Sequence, residues 1–188
     1  MTIFVAVDPS IVSTGIAAME VLDNGKIKVL DIKTIKPVFR EVGKDKSLAA
    51  TRLDKKIVAY DLLVWVTKNI PAYKDAAFYI FENYSYGAVG HLADLGEMNG
   101  MFKLHIKKTM GKPIDVIAPQ SVKKFILGTA KSKTKSDVRA GLEHFVENFH
   151  ELKFENFDES DAVAIGVSYA IKMGAIPRLD GGYESPEG

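Results

Sequence analysis

Two short apolar runs that each end in a carboxylate constrain this chain more than any other feature. Ile3-Phe4-Val5-Ala6-Val7 runs into Asp8, and Phe78-Tyr79-Ile80-Phe81 runs into Glu82. Such runs read as strands buried on both faces, so each acid stands at a strand's C-terminal end. Two further acids, Asp158 and Asp161, open an apolar segment at 162–170. A spacing of three puts both on one helix face. Two strand ends and one helix face can converge, and four converging carboxylates can hold divalent metal.

The remaining pattern predicts how they are carried. Residues 2–7, 14–21 and 26–35 read as three strands joined by short turns, with Asp23-Asn24-Gly25 as the second turn. That spacing favours an antiparallel meander. Residues 47–69 have helical periodicity through Leu48, Leu53, Ile57, Val64 and Thr67, Pro71 lies just beyond, and Trp65 is expected in the core. Strands are predicted at 76–81 and 114–118, and helices at 88–110, with Gly111 as its stop, and at 119–127, opened by Pro119. Thr134 and Asp137 fit a capping box for a helix placing Val138, Leu142, Phe145, Val146 and Phe149 on one face. A final helix is expected at 158–173. The fold class is therefore α/β, a five-stranded mixed sheet with helices on both faces. If the first and fourth strands are parallel neighbours, Asp8 and Glu82 meet at the sheet edge that ligand sites favour.

Length and composition point to one domain over 1–176, with 177–188 expected as a disordered tail. The chain has no cysteine, which excludes disulfides and thiolate zinc sites. No apolar run is long enough for a membrane span and no basic leader precedes the first strand, so a soluble, cytoplasmic protein is expected. The net charge of +1 conceals an asymmetry. Residues 103–139 hold ten Lys/Arg against two acids, whereas 140–188 hold three against ten. A basic region beside an acidic metal site suits a nucleic-acid backbone as substrate, because lysines hold phosphates while carboxylates hold metal.

Taken singly these features are ordinary. An Asp after a strand is usually a turn residue, and acids at 158–161 suit a helix N-terminus. Taken in order they are specific. Val7-Asp8-Pro9-Ser10 with Thr14-Gly15, Phe81-Glu82-Asn83, Ala118-Pro119-Gln120-Ser121-Val122-Lys123, Gly128-Thr129, Lys135-Ser136 and the segment 158–164 together resemble the RuvC-type Holliday-junction resolvases of the RNase H-like superfamily. The likeness runs from Val5 to about Ala170. It implies that Asp8, Glu82, Asp158 and Asp161 are catalytic metal ligands, and that Lys135, and less directly Lys123, stands near the scissile phosphate. The segment 128–135 looks about one residue longer than the usual form, so the choice among Lys131, Lys133 and Lys135 stays open. Lys123, Lys124, Lys131, Lys133, Lys135 and Arg139 form the expected DNA-binding set. Tyr84 and Tyr86 share a segment whose family counterpart stacks on bases beside a branch.

Physical chemistry agrees with these assignments. Crowded carboxylates raise one another's pKa, and oxygen-only ligands suit Mg²⁺ or Mn²⁺. Two such ions per site, about 3.5–4 Å apart, would serve an in-line displacement that leaves a 5′-phosphate and a 3′-hydroxyl. Gly96 and Gly100 lie within a helix whose apolar residues wrap too widely for one buried face. Burial within the monomer and a two-fold dimer seam both account for that, and the resemblance implies the seam. The expected activity is resolution of four-way DNA junctions by a metal-dependent homodimer. Alternatives are a broader flap or fork nuclease and a non-catalytic RNase H-like DNA-binding protein, the latter disfavoured by all four acids. A sugar-kinase or actin-like nucleotide module shares the strand-Asp and Thr-Gly start, but needs a second such domain and glycine-rich adenosine loops.

Overall fold

A computed structural model describes residues 2–38, 52–83, 92–128 and 134–179. Five strands, β1 (Ile3–Asp8), β2 (Thr14–Val21), β3 (Ile27–Ile35), β4 (Phe78–Glu82) and β5 (Ile114–Ile117), form one sheet in the order β3-β2-β1-β4-β5. The first three pair antiparallel, and β4 and β5 run parallel to β1. The expected meander and the parallel β1–β4 pair are both present. The two apolar runs are the central strands, enclosed on both faces, which is why they carry no polar alternation.

Helices cover both faces. On one lie α1 (Arg52–Asn69), α2 (Pro71–Lys74) and α3 (Leu92–Leu104), packed against Val5, Val7, Ile16, Tyr79 and Phe81. On the other lie α4 (Pro119–Leu127), α5 (Lys135–Gly141) and α6 (Phe157–Lys172), packed against Phe4, Ala6, Ala17, Met19 and Ile80. Side-chain alternation along each strand divides the core into these two layers. The helix α6 is the innermost: every residue from Ala162 to Ile171 is buried. Its Ala162, Ala164 and Gly166 permit close approach to the sheet.

Several local expectations are corrected. Trp65 is 59% exposed, and Leu53 and Ile57 also face outward. The buried side of α1 is Lys56, Ala59, Leu63, Val66 and Thr67, which shares only Thr67 with the predicted face. Lys56 accounts for part of that difference, because its ammonium is drawn inward to Asp94 (2.7 Å) and Glu97 of α3. Pro71 does not merely end α1; it opens α2. The long helix ends in a π-turn, His105–Thr109, before Gly111 at φ +67°. The helix after Thr134 stops at Gly141, where a side chain would stand 2.7 Å from Ile126. Beyond it the backbone of Phe145 and Glu147 pairs with Ile27, extending the sheet contact instead of a helix. At the C-terminal end, Leu179 packs on the α6-side core and Arg178 lies over the Phe125 ring. Residues 180–188 lie outside the described residues.

Candidate active site

The register brings the acids together. Asp8 pairs across β1 and β2 with Gly15, and Val7 pairs with Phe81, so Glu82 stands beside Asp8 at the same edge. Both close their strands and both point to the α6 side, in step with Ala6 and Ile80. The start of α6 settles on that row because Gly15 has no side chain. A Cβ there would lie 1.9 Å from the Asp158 carbonyl oxygen. The first turn of α6 thus rests against β2, and Asp161 reaches the strand ends one turn later.

Asp8, Glu82, Asp161, Lys123 and Lys135 line one cleft of about 230 Å³, floored by Pro119, Val122 and Val138. Two segments deliver the lysines. Pro119 starts α4 and puts Lys123 at the start of its second turn. The predicted capping box, Thr134 with Asp137, starts α5 and puts Lys135 at its first residue. Lys135 Nζ lies 2.5 Å from Asp161 Oδ2. Asp158 lies beside this cleft and accepts a 2.5 Å hydrogen bond from the Ser13 hydroxyl.

The electrostatics are those of crowded acids. Burial, then the charges of Glu82, Asp161 and Asp158, hold the Asp8 carboxyl well above the usual carboxylate range, against the opposing pull of Lys135. Burial and Asp161 push Glu82 up to about 7. Asp161 is raised by burial and by Asp158, with Lys135 again opposing. Burial disfavours the Lys135 ammonium, yet Asp161, Asp8 and Asp158 outweigh it and raise its pKa. Structural ion-pair networks also perturb pKa, but here the perturbed groups share one cleft with unlike charges.

The donor set consists of carboxylate oxygens, which suits a hard divalent cation. Mutual repulsion among them is what such a cation relieves. Among the described residues, no three acid or imidazole side chains are arranged about one point as metal ligands. Instead the Lys135 ammonium neutralises Asp161 directly.

The other predicted residues separate. Lys124 is exposed and does not line the cleft. Arg139 turns away to lie over the Phe154 ring, 4.7 Å from its centre. Tyr84, Tyr86, Lys131 and Lys133 lie outside the described residues. Two neighbours of the acids escaped the sequence reading. Ser13, beside the Thr-Gly pair, had no signal of its own. Glu159 reads from sequence as a solvated residue of an acidic first turn, yet it is 3% exposed.

No protein-family model matches the chain, and no curated protein matches it in sequence. Solved structures are similar in fold. RuvC from Thermus thermophilus, in complex with a Holliday junction substrate, aligns with a TM-score of 0.69 at 17% identity, over 95% of this chain and 100% of that one. The yeast mitochondrial Holliday junction resolvase gives 0.59 at 13% identity, over 88% of this chain and 76% of that one. The fowlpox virus Holliday junction resolvase gives 0.53 at 11% identity, over 92% and 99%. The chain has the RNase H-like fold in the form these resolvases share.

Proposed function

We propose that this chain is a divalent-metal-dependent endonuclease that nicks branched DNA, chiefly four-way junctions, and acts as a homodimer. One observation carries the reading: three carboxylates and two lysines line a single cleft at the C-terminal edge of the parallel strands. The similar structures are Holliday junction resolvases or a complex with Holliday junction DNA, which supports the substrate class.

Asp8, Glu82, Asp158 and Asp161 would hold Mg²⁺ or Mn²⁺, which when bound supplies charge neutralisation and an activated water. The chain's own residues have separate tasks. Burial and the neighbouring acids hold both Asp8 and Glu82 above the usual carboxylate range, Glu82 at about 7, so their charged forms gain from a nearby cation. Lys135, kept charged by Asp161, offers a positive group to a phosphate oxygen as negative charge builds there. Lys123 also lines the cleft and adds positive charge there. In the net reaction a water oxygen bonds to phosphorus and the P–O3′ bond breaks. The 3′ oxygen leaves as a hydroxyl, and the phosphate stays on the 5′ end.

The outward face of α3 supports the dimer. Neither Gly96 nor Gly100 would bring an added Cβ within 4 Å of another atom of the described residues, so packing among those residues does not require their smallness. Leu104 on that face is 61% exposed, and Leu53 and Ile57 of α1 are exposed as well. A two-fold axis through this face would pair two clefts, as paired nicking requires.

The test is cleavage of a labelled four-way junction with Mg²⁺ or EDTA, with Glu82→Gln as control. Symmetric nicks lost in EDTA and in the variant are expected. Junction binding with no nicking in Mg²⁺ or Mn²⁺ would instead favour a DNA-binding protein without catalysis.

A further inference from the structure

The buried Glu159 stands between two of the acids and serves neither in the cleft. Residue for residue it is the third of α6, where a capping box would return its carboxylate to the backbone N–H of the cap residue, Asn156. The bonds formed are different. Glu159 Oε2 accepts from the Glu155 N–H at 2.7 Å, one residue before the cap. Its Oε1 accepts from the Thr34 hydroxyl at 3.0 Å, on the edge strand β3. Asn156 completes the circuit: its Oδ1 accepts from the Glu159 N–H (3.2 Å), and its Nδ2 donates to Thr34 Oγ1 (2.7 Å). Thr34 therefore both donates and accepts, leaving its hydroxyl no freedom to rotate.

The position of Thr34 gives this circuit its consequence. Thr34 pairs with Gly15, and Gly15 pairs with Asp8, so the three share one row across the sheet. The bond from Thr34 to Glu159 ties the first turn of α6 to the row that carries Asp8. Capping alone would need no partner on β3.

We infer that Glu159 is a positioning residue: with Thr34 and Asn156 it sets where Asp158 and Asp161 stand relative to Asp8 and Glu82. This rests on the metal-dependent reading of the cleft. Supporting partners behind metal ligands typically change metal affinity about 10–100-fold when removed.

The experiment compares Glu159→Ala, Glu159→Gln and Thr34→Val with the parent by thermal midpoint, by Mn²⁺ calorimetry without DNA, and by the Mg²⁺ dependence of junction nicking. Glu159→Ala is expected to weaken Mn²⁺ binding about tenfold or more and to move nicking to higher Mg²⁺. Thr34→Val, which keeps the side chain's shape, should shift both in the same direction, and adding it to Glu159→Ala should do little more. Glu159→Gln can accept one of the two bonds and should fall between. Lower thermal midpoints with unchanged Mn²⁺ affinity would make Glu159 purely structural and overturn the inference. If Glu159→Ala does not fold, Thr34→Val decides by the same criterion. A parent that binds Mn²⁺ but nicks no branched DNA would refute the proposed function and leave Mn²⁺ affinity to decide the role of Glu159.

Discussion

Gly15 on β2 and Asp158 on α6 touch backbone to backbone: a methyl at Gly15 would stand 1.9 Å from the Asp158 carbonyl oxygen. The obstacle is main chain, not a flexible side-chain tip, so it cannot swing aside. Gly15→Ala should push the start of α6 off the sheet and carry Asp158 and Asp161 with it. The expected loss is about 1–3 kcal/mol of stability, as for other overpacked sites, together with near-complete loss of nicking. A Gly15→Ala protein that melts like the parent and nicks normally would refute this contact.

Glu82 links stability to pH. Its folded-state pKa of about 7 exceeds its ordinary value of 4.5, and Asp8 is raised as well. The folded protein therefore holds protons that the unfolded chain has released. Its stability contribution is present below pH 4.5 and declines as pH rises through 7. In EDTA, the thermal midpoint should fall between about pH 5 and pH 8. Glu82→Gln should flatten that fall and exceed the parent at pH 8 by on the order of 1 kcal/mol, or about 2–4 °C. Thermal scans at the two pH values check both signs.

Lys135 lines the acidic cleft, whereas Arg139 lies over the Phe154 ring. Lys135→Ala should slow nicking about 10²-fold, the scale for losing one donor to developing charge, while junction binding changes little. Arg139→Ala should leave the cleavage rate within a few-fold of the parent, since its guanidinium lies over Phe154. Single-turnover rates on one junction distinguish them. If Lys135→Ala cleaves normally, Lys131→Ala and Lys133→Ala become the next variants to measure.

Gly96 and Gly100 separate the monomer from the seam. Among the described residues an alanine at either meets no atom within 4 Å, and alanine is favoured over glycine in a helix by about 1 kcal/mol. Gly100→Arg should leave the monomer folded yet block close approach of a second helix. Sedimentation should show a dimer for the parent and a monomer for Gly100→Arg, with paired nicking reduced to single nicks.

The strands and the acids at their ends were legible because periodicity is local. An apolar run closed by Asp8 or Glu82 describes a buried strand whatever lies elsewhere in the chain. The capping box at Thr134 was readable for the same reason, since both partners lie within four residues. Trp65 was misplaced because the buried side of α1 depends on Lys56 meeting Asp94 and Glu97, some forty residues away. The helix expected through Phe149 failed at Gly141 because the following backbone pairs with Ile27, more than a hundred residues earlier.

By itself, then, the sequence determined the five strands, the antiparallel start of the sheet and the acids that close β1 and β4. These follow from short-range sterics and side-chain period. Only tertiary structure decided that Lys135 meets Asp161, that Arg139 lies over Phe154, and that Glu159 is a buried tie to Thr34 instead of a solvated charge. Those outcomes depend on strand register and on the close approach at Gly15. Both are set by packing between segments far apart in the chain, where local propensity carries no information.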